Sequence, residues 1–285
     1  MHKIQIEDCQ ILAHYKYSGS QRIITLASDK IPQLTKPGQF VHISTGDVLK
    51  MRRPISIMSV DVENGTFDLL YKIVGIGTVE LSKRQIGETL SVLGPIGNGF
   101  KMTAKKMPLL IGGGVGMPPM VAIAQNIANN SDYDAFAVLA SEVEFPFEVA
   151  TSVLKTACKV NATYALMEGW GVATRLASTD KTVLKNNGIF DGYATDLARK
   201  YLQSLSVDEL KQVEIYSCGP ELMLEAVKNL ATEFNLSAQL SLEEYMACAV
   251  GGCAGCVVKT LEDGKEYMRR VCVDGPVFNA NEVFI

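Results

Sequence analysis

The part of the chain that decides the fold reads Cys248-Ala-Val-Gly-Gly-Cys253-Ala-Gly-Cys256, and a fourth cysteine follows at Cys272. Three cysteines at C-x4-C-x2-C spacing with one distant cysteine are the plant-type ligand pattern of a [2Fe-2S] cluster. Apart from Val250, the intervening residues are glycine or alanine, so the backbone can turn tightly and point its amides at the sulfurs. The spacing therefore predicts that the four thiolates bind one [2Fe-2S] cluster.

A zinc site and a disulfide pair are the alternative uses of these cysteines. Zinc sites more often contain two C-x2-C units or histidines, and no histidine follows His42 in the sequence. Disulfides belong to oxidising compartments, whereas seven cysteines, an odd number with four in one motif, fit a reducing cytoplasm. Cys9 and Cys158 are expected to be small buried hydrophobic residues. We therefore favour the cluster and a cytoplasmic location.

The composition predicts two or three globular domains, because 285 residues exceed one ordinary domain and 47% of them are hydrophobic. A formal net charge of -4 and a sequence pI near 5.5 argue against partners such as nucleic acid or an anionic membrane. The N-terminus carries acids where a signal peptide needs an apolar segment. Residues 109–128 are apolar, but their glycines and prolines predict strand, loop and helix rather than a membrane span.

Residues 1–101 contain short β segments separated by turns, which is typical of an antiparallel barrel. Two of the turns are Lys36-Pro37-Gly38 and Glu63-Asn64-Gly65. The predicted strands are residues 3–11, 21–27, 40–44, 55–60, 66–73 and 89–93.

Two stretches of this barrel carry groups suited to a phosphate-containing cofactor. The first is Arg53-Pro54-Ile55-Ser56, where a guanidinium can bind phosphate and a hydroxyl can hydrogen-bond a ring nitrogen. The second begins Leu70-Tyr71-Lys72 and continues through Gly77 and Thr78 into a short helix, predicted over residues 78–84 with Thr78 as its N-cap. On residue types alone, a surface arginine beside a strand proline is usually just solvated, and an ordinary strand-turn-helix junction explains the second stretch as well as a cofactor does.

From residue 102 strands alternate with helices, which predicts a parallel α/β domain over residues 102–235. Its first strand leads into the loop Gly112-Gly113-Gly114-Val115-Gly116, and the prolines that follow predict a helix start. Such a loop is moderately specific for a nucleotide pyrophosphate. Cys218 ends a later strand, where parallel sheets bind ligands, although a cysteine simply packed in the sheet is an equal alternative.

The other elements of this domain follow from the same pattern. The predictions are strands at 135–140, 162–166 and 213–218, helices near 147–156, 195–204 and 221–234, and a long loop around 168–178. Residues 138–154 contain Glu142, Glu144 and Glu148 but no lysine or arginine. A cofactor with a 2'-phosphate would meet acid there, which favours NAD over NADP.

Taken together, these motifs resemble the ferredoxin-NADP reductase superfamily, in which a flavin barrel precedes a nicotinamide-nucleotide domain. The segment from Ser241-Leu-Glu-Glu-Tyr-Met-Ala-Cys248 to Val-Cys272-Val-Asp-Gly-Pro-Val-Phe278 is more narrowly similar to the electron-transfer subunits of the type B, NAD-dependent dihydroorotate dehydrogenases. The resemblance covers essentially the whole chain. It makes residues 236–285 a C-terminal [2Fe-2S] domain.

The resemblance implies the cofactors and their contacts. FAD would be bound by Arg53, Pro54, Ile55, Ser56, Leu70, Tyr71, Lys72, Gly77 and Thr78. NAD would dock on Gly112, Gly113, Gly114 and Gly116, with Cys218 near the nicotinamide.

The resemblance also implies a partner, an FMN-containing dihydroorotate dehydrogenase catalytic subunit, in a heterotetramer. No catalytic base for dihydroorotate is recognisable in this chain, whose only histidines are His2, His14 and His42. Nicotinamide exchanges a hydride and a cluster exchanges single electrons, so FAD has to stand between them.

Three other functions remain open at this point. The flavin subunits of electron-bifurcating NADH-dependent ferredoxin-NADP reductases have a similar layout, but typically an aspartate among the cluster ligands where this chain has Cys248. A redox sensor would use the cluster without turning over NAD. A zinc-stabilised structural module would contain neither flavin nor iron.

Overall fold

The computed structural model describes residues 4–46, 49–128, 130–185 and 188–284. It consists of a closed six-stranded barrel, a seven-stranded sheet flanked by helices, and a C-terminal cysteine-rich segment. The predicted fold class is confirmed. Within the described ranges, no helix is both long and apolar enough to cross a membrane.

The barrel is made of six antiparallel strands. They are β1 (Gln5–Lys16), β2 (Gln21–Ala27), β3 (Phe40–Ile43), β4 (Arg53–Asp61), β5 (Thr66–Lys72) and β6 (Thr89–Ile96). They close in the order β1-β2-β5-β4-β3-β6. All six predicted strands are present, although β1 starts later and runs further than predicted, and residue 3 lies outside the described residues. Two short helices, α1 (Ile31–Leu34) and α2 (Ile76–Ser82), lie between strands.

Alternation along the strands fills the barrel interior. On β4, Ile55 and Ile57 point into the core, and on β5 Leu69 and Tyr71 do the same. Burying one such aliphatic side chain contributes about 1.5–3 kcal/mol. The intervening residues therefore face outward, and this outer wall of β3, β4 and β5 is where the rest of the chain packs.

The second part of the chain is a sheet crossed by helices. Its strands, with those of the C-terminal segment, are β7 (Met107–Gly113), β8 (Phe136–Ala140), β9 (Val149–Thr151), β10 (Ala162–Tyr164), β11 (Ala173–Ser178), β12 (Phe190–Asp191), β13 (Val213–Cys218), β14 (Ser237–Ser241), β15 (Val257–Glu262), β16 (Lys265–Arg270) and β17 (Val277–Asn279). The helices are α3 (Met117–Asn126), α4 (Ala165–Gly169), α5 (Ala194–Gln203), α6 (Val207–Lys211) and α7 (Glu221–Glu233).

The order of strands in this sheet is β12-β11-β8-β7-β13-β14-β17, parallel except for β17. The chain runs outward from β7 to β12 and then returns to β13 on the other side of β7. The carboxyl ends of β7 and β13 therefore lie side by side at the point where the order reverses. Open parallel sheets bind their ligands at such a point.

The connection between β8 and β11 differs from its prediction. Residues 147–156 do not form a helix: β9 and β10 pair as a small antiparallel sheet, and the predicted strand 162–166 is shortened because α4 begins at Ala165. The predicted loop around 168–178 contains β11, which pairs along its length with β8. β-branched residues favour the extended conformation of β9 and β10. We call residues 141–172 the excursion.

Arg175 concealed β11 in the sequence. Its guanidinium is buried and donates to Glu168 Oε1 at 3.1 Å, to Ser152 Oγ at 2.7 Å and to the Leu154 carbonyl at 2.6 Å. A charge inside a strand argues against burial unless a partner neutralises it, and that partner lies in the excursion.

Two polar contacts fix the barrel against the sheet. The side-chain amide of Gln125, at the end of α3, donates to the Val60 carbonyl at 2.8 Å and accepts from the Val60 amide at 3.0 Å. On the other side, the Glu144 carboxylate accepts from Ser18 Oγ, and the Glu144 carbonyl accepts from Gln21 Nε2 at 2.8 Å. Glu144 of the excursion thus holds the barrel hairpin through both its side chain and its backbone.

The cysteine segment, residues 242–276, leaves the sheet after β14 and returns to it as β17. β14 and β17 are hydrogen-bonded neighbours, with Ser241 opposite Val277. Between them, β15 and β16 form a hairpin. The apolar residues of this segment share one core with the sheet and with Phe40 and Ile96 of the barrel wall.

Candidate functional site

The cysteine loop is held by backbone turns that small residues permit. Ala249, Gly251 and Ala254 all have positive φ, between 53° and 85°. At Gly251 a Cβ would lie 2.6 Å from Val273 Cγ2, so only glycine allows the loop to approach the strand end that carries Cys272. Gly251 thus has the close backbone approach that was expected of the small residues in this loop.

The four sulfurs form two pairs joined by backbone amides. The amide of Cys253 donates to Cys248 Sγ at 3.4 Å, and the amide of Cys272 donates to Cys256 Sγ at 3.5 Å. Within the described part of the chain, no three Cys, His, Asp or Glu side chains converge on one position for a single metal ion. Two pairs of thiols suit a cluster of two irons, each of which needs two protein ligands.

The pairs differ in exposure. Cys253 is exposed and Cys248 half-buried, whereas Cys256 and Cys272 are each 2% exposed. Hydrogen bonds from backbone amides, that of Val250 first, lower the pKa of the Cys248 thiol to about 7. Burial raises the pKa of Cys272 to about 12. One edge of the site is therefore open to solvent and the other is sealed in the core.

The structure brings together the two predicted flavin-binding stretches. The guanidinium of Arg53 crosses the backbone of Gly77, where an added Cβ would lie 2.3 Å from Arg53 Nε. Arg53 Nη1 donates to the carbonyls of Met51 at 2.9 Å and Arg52 at 3.0 Å. These bonds hold the planar group at the start of α2, where it can pair with phosphate oxygens.

The remaining predicted residues divide between the two faces of β4 and β5. Pro54 and Ser56 lie on the outer face of β4, while Ile55 points into the barrel core. On β5, Leu70 packs outward against the core of the sheet domain. Lys72, at the end of that strand, is exposed.

Tyr71 turns inward, where its hydroxyl donates to His14 Nε2 at 2.8 Å. The Arg84 carbonyl lies 3.0 Å from His14 Nδ1 and can only accept, so Nδ1 carries the proton. In the neutral imidazole Nε2 is then the acceptor, and the Tyr71 hydroxyl is the donor. Ile55 and Tyr71 thus shape the wall through their backbone rather than offering side chains to a ligand.

The prediction that Thr78 is the N-cap of its helix is wrong. α2 begins at Ile76 with Gly75 as N-cap, and Thr78 occupies the third helical position. Its hydroxyl accepts from the backbone amides of Val74 at 2.9 Å and Gly75 at 3.2 Å. The threonine thus closes the turn from inside the helix, as the third residue of a capping box does, while Gly75 has no side chain to return the bond.

The glycine loop packs directly against the end of β13. A Cβ at Gly116 would lie 2.5 Å from the Cys218 carbonyl, and one at Gly113 would lie 2.6 Å from Met223 Sδ. Above Gly114, which has φ of +55°, the space is open. The predicted glycines and Cys218 therefore meet at the switch point of the sheet, and the loop leaves room on its outer side for a ligand.

The thiol of Cys218 is fully buried, and that burial raises its pKa. Glu243, whose side chain reaches the surface, is near enough for its charge to raise that pKa further. Sequence reasoning missed Glu243, although it stands two residues beyond Ser241, the β14 residue paired with Cys218. Register between parallel strands is the signal that would have found it.

Two family models match the chain. One describes an oxidoreductase FAD-binding domain and matches residues 8–100. The other describes the iron-sulfur cluster binding domain of dihydroorotate dehydrogenase B and matches residues 243–284. These two parts, one on each side of the sheet in the sequence, define an oxidoreductase that binds a flavin and an iron-sulfur cluster.

The curated relatives narrow this class. The chain is 38% identical over 252 residues to the dihydroorotate dehydrogenase B (NAD(+)) electron transfer subunit of Listeria monocytogenes serotype 4b (strain F2365), covering 87% of each protein. It is 32% identical to the same subunit of Geobacillus sp. (strain WCH70), covering 98% of each. The chain belongs to the family of dihydroorotate dehydrogenase B electron transfer subunits.

Solved structures agree on the fold. The structure of the NADH-dependent reduced ferredoxin-NADP oxidoreductase, studied for electron bifurcation, superimposes with a TM-score of 0.77 at 24% identity, covering 96% of this chain and 88% of that one. The ferredoxin reductase of carbazole 1,9a-dioxygenase gives a TM-score of 0.64 at 20% identity, covering 82% and 67%. At these identities the likeness establishes the fold alone.

Proposed function

We propose that this chain passes electrons between NAD and a partner subunit, and that the partner oxidises dihydroorotate. The reaction would belong to cytoplasmic pyrimidine biosynthesis. When bound, NAD exchanges a hydride, FAD exchanges one or two electrons, and a [2Fe-2S] cluster exchanges one. The names of the relatives supply the substrates. Their 38% identity over 87% of the chain supports carrying them over.

The observation that carries the proposal is the placement of the four thiols. Cys248 and Cys253 would hold one iron, and Cys256 and Cys272 the other, following the two amide-linked pairs. The exposed Cys253 puts one side of the site at the protein surface, while the two buried thiols face the core shared with the barrel. Such a site can exchange electrons with the flavin inside and with a partner outside.

The barrel wall would bind FAD and the sheet would bind NAD. Arg53 and Gly77 would hold the pyrophosphate, and Ser56 would face the flavin ring from the outer side of β4. The glycine loop at 112–116 would receive the NAD pyrophosphate, with Cys218 beneath the nicotinamide. We keep 1–101, 102–235 and 236–285 as the proposed domains, although β14 and β17 of the third complete the sheet of the second.

A preference for NAD over NADP follows from charge. Glu142 is exposed just beyond β8, while Glu144 is engaged by Ser18. Arg175, the nearest guanidinium in the sheet, is buried in its ion pair with Glu168 and is not free to bind a 2'-phosphate. Stopped-flow reduction of the flavin at equal concentrations should be faster with NADH than with NADPH.

The partner is proposed to be an FMN-containing dihydroorotate dehydrogenase catalytic subunit, assembled with this chain as a heterotetramer. Exposed apolar side chains lie in the cysteine segment: Tyr245 is 93% exposed, Met268 67% and Val250, between Cys248 and Cys253, 50%. Ala249, by contrast, is buried and serves the core. Exposed apolar residues in a segment that carries a redox site are suited to a protein contact.

Co-expression with the dihydroorotate-oxidising subunit tests the proposal. The complex should oxidise dihydroorotate with NAD, and Val250→Glu should weaken assembly while the cluster remains, because it places a charge at the contact. Val153→Glu is a matched control, since Val153 is 84% exposed and lies in the excursion. Full dihydroorotate oxidation by this chain alone, or equal loss of assembly in both variants, would contradict the proposal.

A further inference from the structure

Gln21 is a buried polar residue at the place where the barrel meets the excursion. It is the first residue of β2 and is only 1% exposed. Ile24 and Leu26 of the same strand point into the barrel core, so the side chain of Gln21 lies on the outer face. Ile23, which is on that outer face too, packs against the core of the sheet domain. Gln21 therefore faces the sheet domain from the barrel.

The strand register places Gln21 beside one of the predicted flavin-binding stretches. β2 and β5 are antiparallel neighbours, with Gln21 directly opposite Lys72. The turn that precedes β2 holds the end of the same stretch, because the amide of Ile73 donates to the Ser20 carbonyl at 3.0 Å. Gln21 is thus fixed relative to the part of the barrel that would bind FAD.

The side-chain amide of Gln21 reaches the sheet domain. Its Nε2 donates to the Glu144 carbonyl at 2.8 Å and to the Ser18 carbonyl at 3.3 Å. The two surfaces touch beside this bond, since a Cβ at Gly19 would lie 2.5 Å from Val143 Cγ2. The Ser18 hydroxyl also donates to the Glu144 carboxylate, but both residues are exposed and water competes for that bond. The amide of the buried Gln21 is better protected from such competition.

Glu144 lies near the end of the sheet at which parallel sheets bind ligands. It follows the last residue of β8, Ala140, by four positions, and Ala140 is paired with Gly113 of the glycine loop. The bond from Gln21 therefore joins the strand beside Lys72 to the strand end beside Gly113. It bridges the two parts of the chain between which FAD and NAD would meet.

The contact between Gln125 and Val60 lies at the opposite end of the sheet. α3 begins after the glycine loop and the chain then returns to the start of β8, so the last turn of α3 lies toward the amino ends of the strands. Gln125 belongs to that last turn. A contact there does not by itself keep the carboxyl ends of the strands against the barrel. The Gln21 bond holds that end.

We propose that Gln21 is a positioning residue for hydride transfer, whose bond to the Glu144 carbonyl keeps the nicotinamide-binding end of the sheet close to the flavin-binding strands. This inference rests on the proposed function. In that reaction NADH gives one hydride to FAD and becomes NAD+, a proton from solvent completes the reduced flavin, and no covalent bond changes at Gln21. Distance is decisive because the reacting atoms must come within about 3–3.5 Å, and a displacement of about 1 Å can cost about 100-fold in rate.

The kinetic test follows flavin absorbance in the FAD- and cluster-loaded chain by anaerobic stopped-flow over a range of NADH concentrations. Gln21→Met keeps the length of the side chain but loses the N-H donor. The limiting rate of flavin reduction should fall roughly three- to tenfold, the factor that one ordinary hydrogen bond can supply. The NADH concentration at half the limiting rate should change much less. Reduction by dithionite, which needs no nicotinamide, should be unchanged.

A second measurement follows the contact itself and does not depend on catalysis. Hydrogen exchange of the same holo-chain, read by mass spectrometry, should be faster in Gln21→Met over residues 141–146. The reason is that this part of the excursion is no longer held against the barrel, and local opening exposes its amides. Exchange over residues 117–126, which include Gln125, should stay as it is in the unmodified chain.

Two further variants keep the result interpretable. Gln21→Glu also lacks the donor and places a carboxylate against the Glu144 carbonyl; it should slow flavin reduction at least as much, and it serves as the measurement if Gln21→Met does not fold. Gln39→Met is the matched control, because Gln39 is fully buried and its Nε2 donates to the Gly97 carbonyl at 2.8 Å, within the barrel domain. Its limiting rate should equal that of the unmodified chain.

The outcomes are distinct. An unchanged limiting rate in Gln21→Met and Gln21→Glu would overturn the role of Gln21, and so would a slowed rate with unchanged exchange over residues 141–146. Equal slowing in Gln39→Met would show that loss of any buried amide bond has this effect, which also overturns the proposal. If NADH does not reduce the flavin of the unmodified chain at all, the proposed function itself fails.

Discussion

The cysteine segment and the excursion are two irregular stretches that leave the same sheet between neighbouring strands. In the excursion, a buried carboxylate is neutralised within the structure: Glu168 accepts from Arg175, from Ser152 and from the Val153 amide at 3.2 Å, and Phe147 stacks on Tyr164 at 3.9 Å. In the cysteine segment, backbone amides donate to the sulfurs of Cys248, Cys253 and Cys256, on a loop whose turns have positive φ.

The difference teaches which segment is built to receive something. A stretch whose buried charges neutralise each other has a structural role, because those charges need no ligand. A segment that gathers thiols on strained turns completes the bonding of its sulfurs only when an external group binds. Changes in the two segments should therefore have effects of different kinds.

The largest effect is expected from Cys253→Ser. Loss of one of four thiolates should abolish or strongly perturb the cluster signal in electron paramagnetic resonance. Because the segment shares its core with the sheet, the variant should still fold and retain FAD. Cys158→Ser is the matched control, since that half-buried thiol lies in the excursion; an unchanged signal in Cys253→Ser would refute the ligand assignment.

Glu168→Ala should have the next largest effect, this time on stability alone. It leaves Arg175 buried without its charge partner, and breaking such a pair costs about 3–5 kcal/mol. Chemical denaturation of the holo-chain measures the change, with Asp208→Ala as control because its ion pair with Lys211 is exposed. If the cluster signal per folded chain fell as well, the two segments would not be separable as described.

Acidification should lower the stability of the fold through His42, a buried residue of β3. Its folded pKa of about 4 lies below the ordinary value of 6.5, so the unfolded chain binds a proton first and stability rises with pH across this window. Lowering the pH from 6.5 to 4 should cost up to about 1.4 kcal/mol per pH unit from this group. Denaturation of His42→Phe over the same range should show a shallower slope, and equal slopes would contradict the shift.

The smallest effect is expected from Ser18→Ala, which removes the hydroxyl that donates a hydrogen bond to the Glu144 carboxylate. Both residues are exposed, so the loss should be about 0.5–1.5 kcal/mol or less. Thermal unfolding of the holo-chain measures it, and Ser82→Ala, which removes an exposed bond within α2, is the control. A loss of several kcal/mol would make this contact a principal joint between barrel and sheet.

The features that the sequence predicts well are those set by neighbouring residues. The barrel strands follow from alternation, the turns of the cysteine loop from Gly251 and the alanines beside it, and the helix after the glycine loop from Pro118 and Pro119. Each depends on physics that acts within a few residues. The candidate site is predicted in the same way, because Cys253 and Gly116 belong to motifs defined by local spacing, and its ligand assignments stay predictions.

What escaped prediction depends on residues far apart in the chain. β11 was hidden because Arg175 looks like a surface residue until Glu168 and Ser152 are placed beside it. The side-chain amide of Gln125 on α3 hydrogen-bonds to the backbone of Val60 on β4. Neither stretch of sequence contains a pattern that predicts this contact. The inward turn of Tyr71 likewise depends on His14, which is brought near only when the barrel closes.

The short strands at the two ends of the sheet have a consequence for solubility. β12 contributes two residues at one border and β17 three at the other. A long open border would present unpaired amides and carbonyls to another chain and invite aggregation by strand addition. Because β17 pairs with β14 after the cysteines, the longer strand β14 is not an edge strand. Only short edge strands are left for another copy of the chain to pair with.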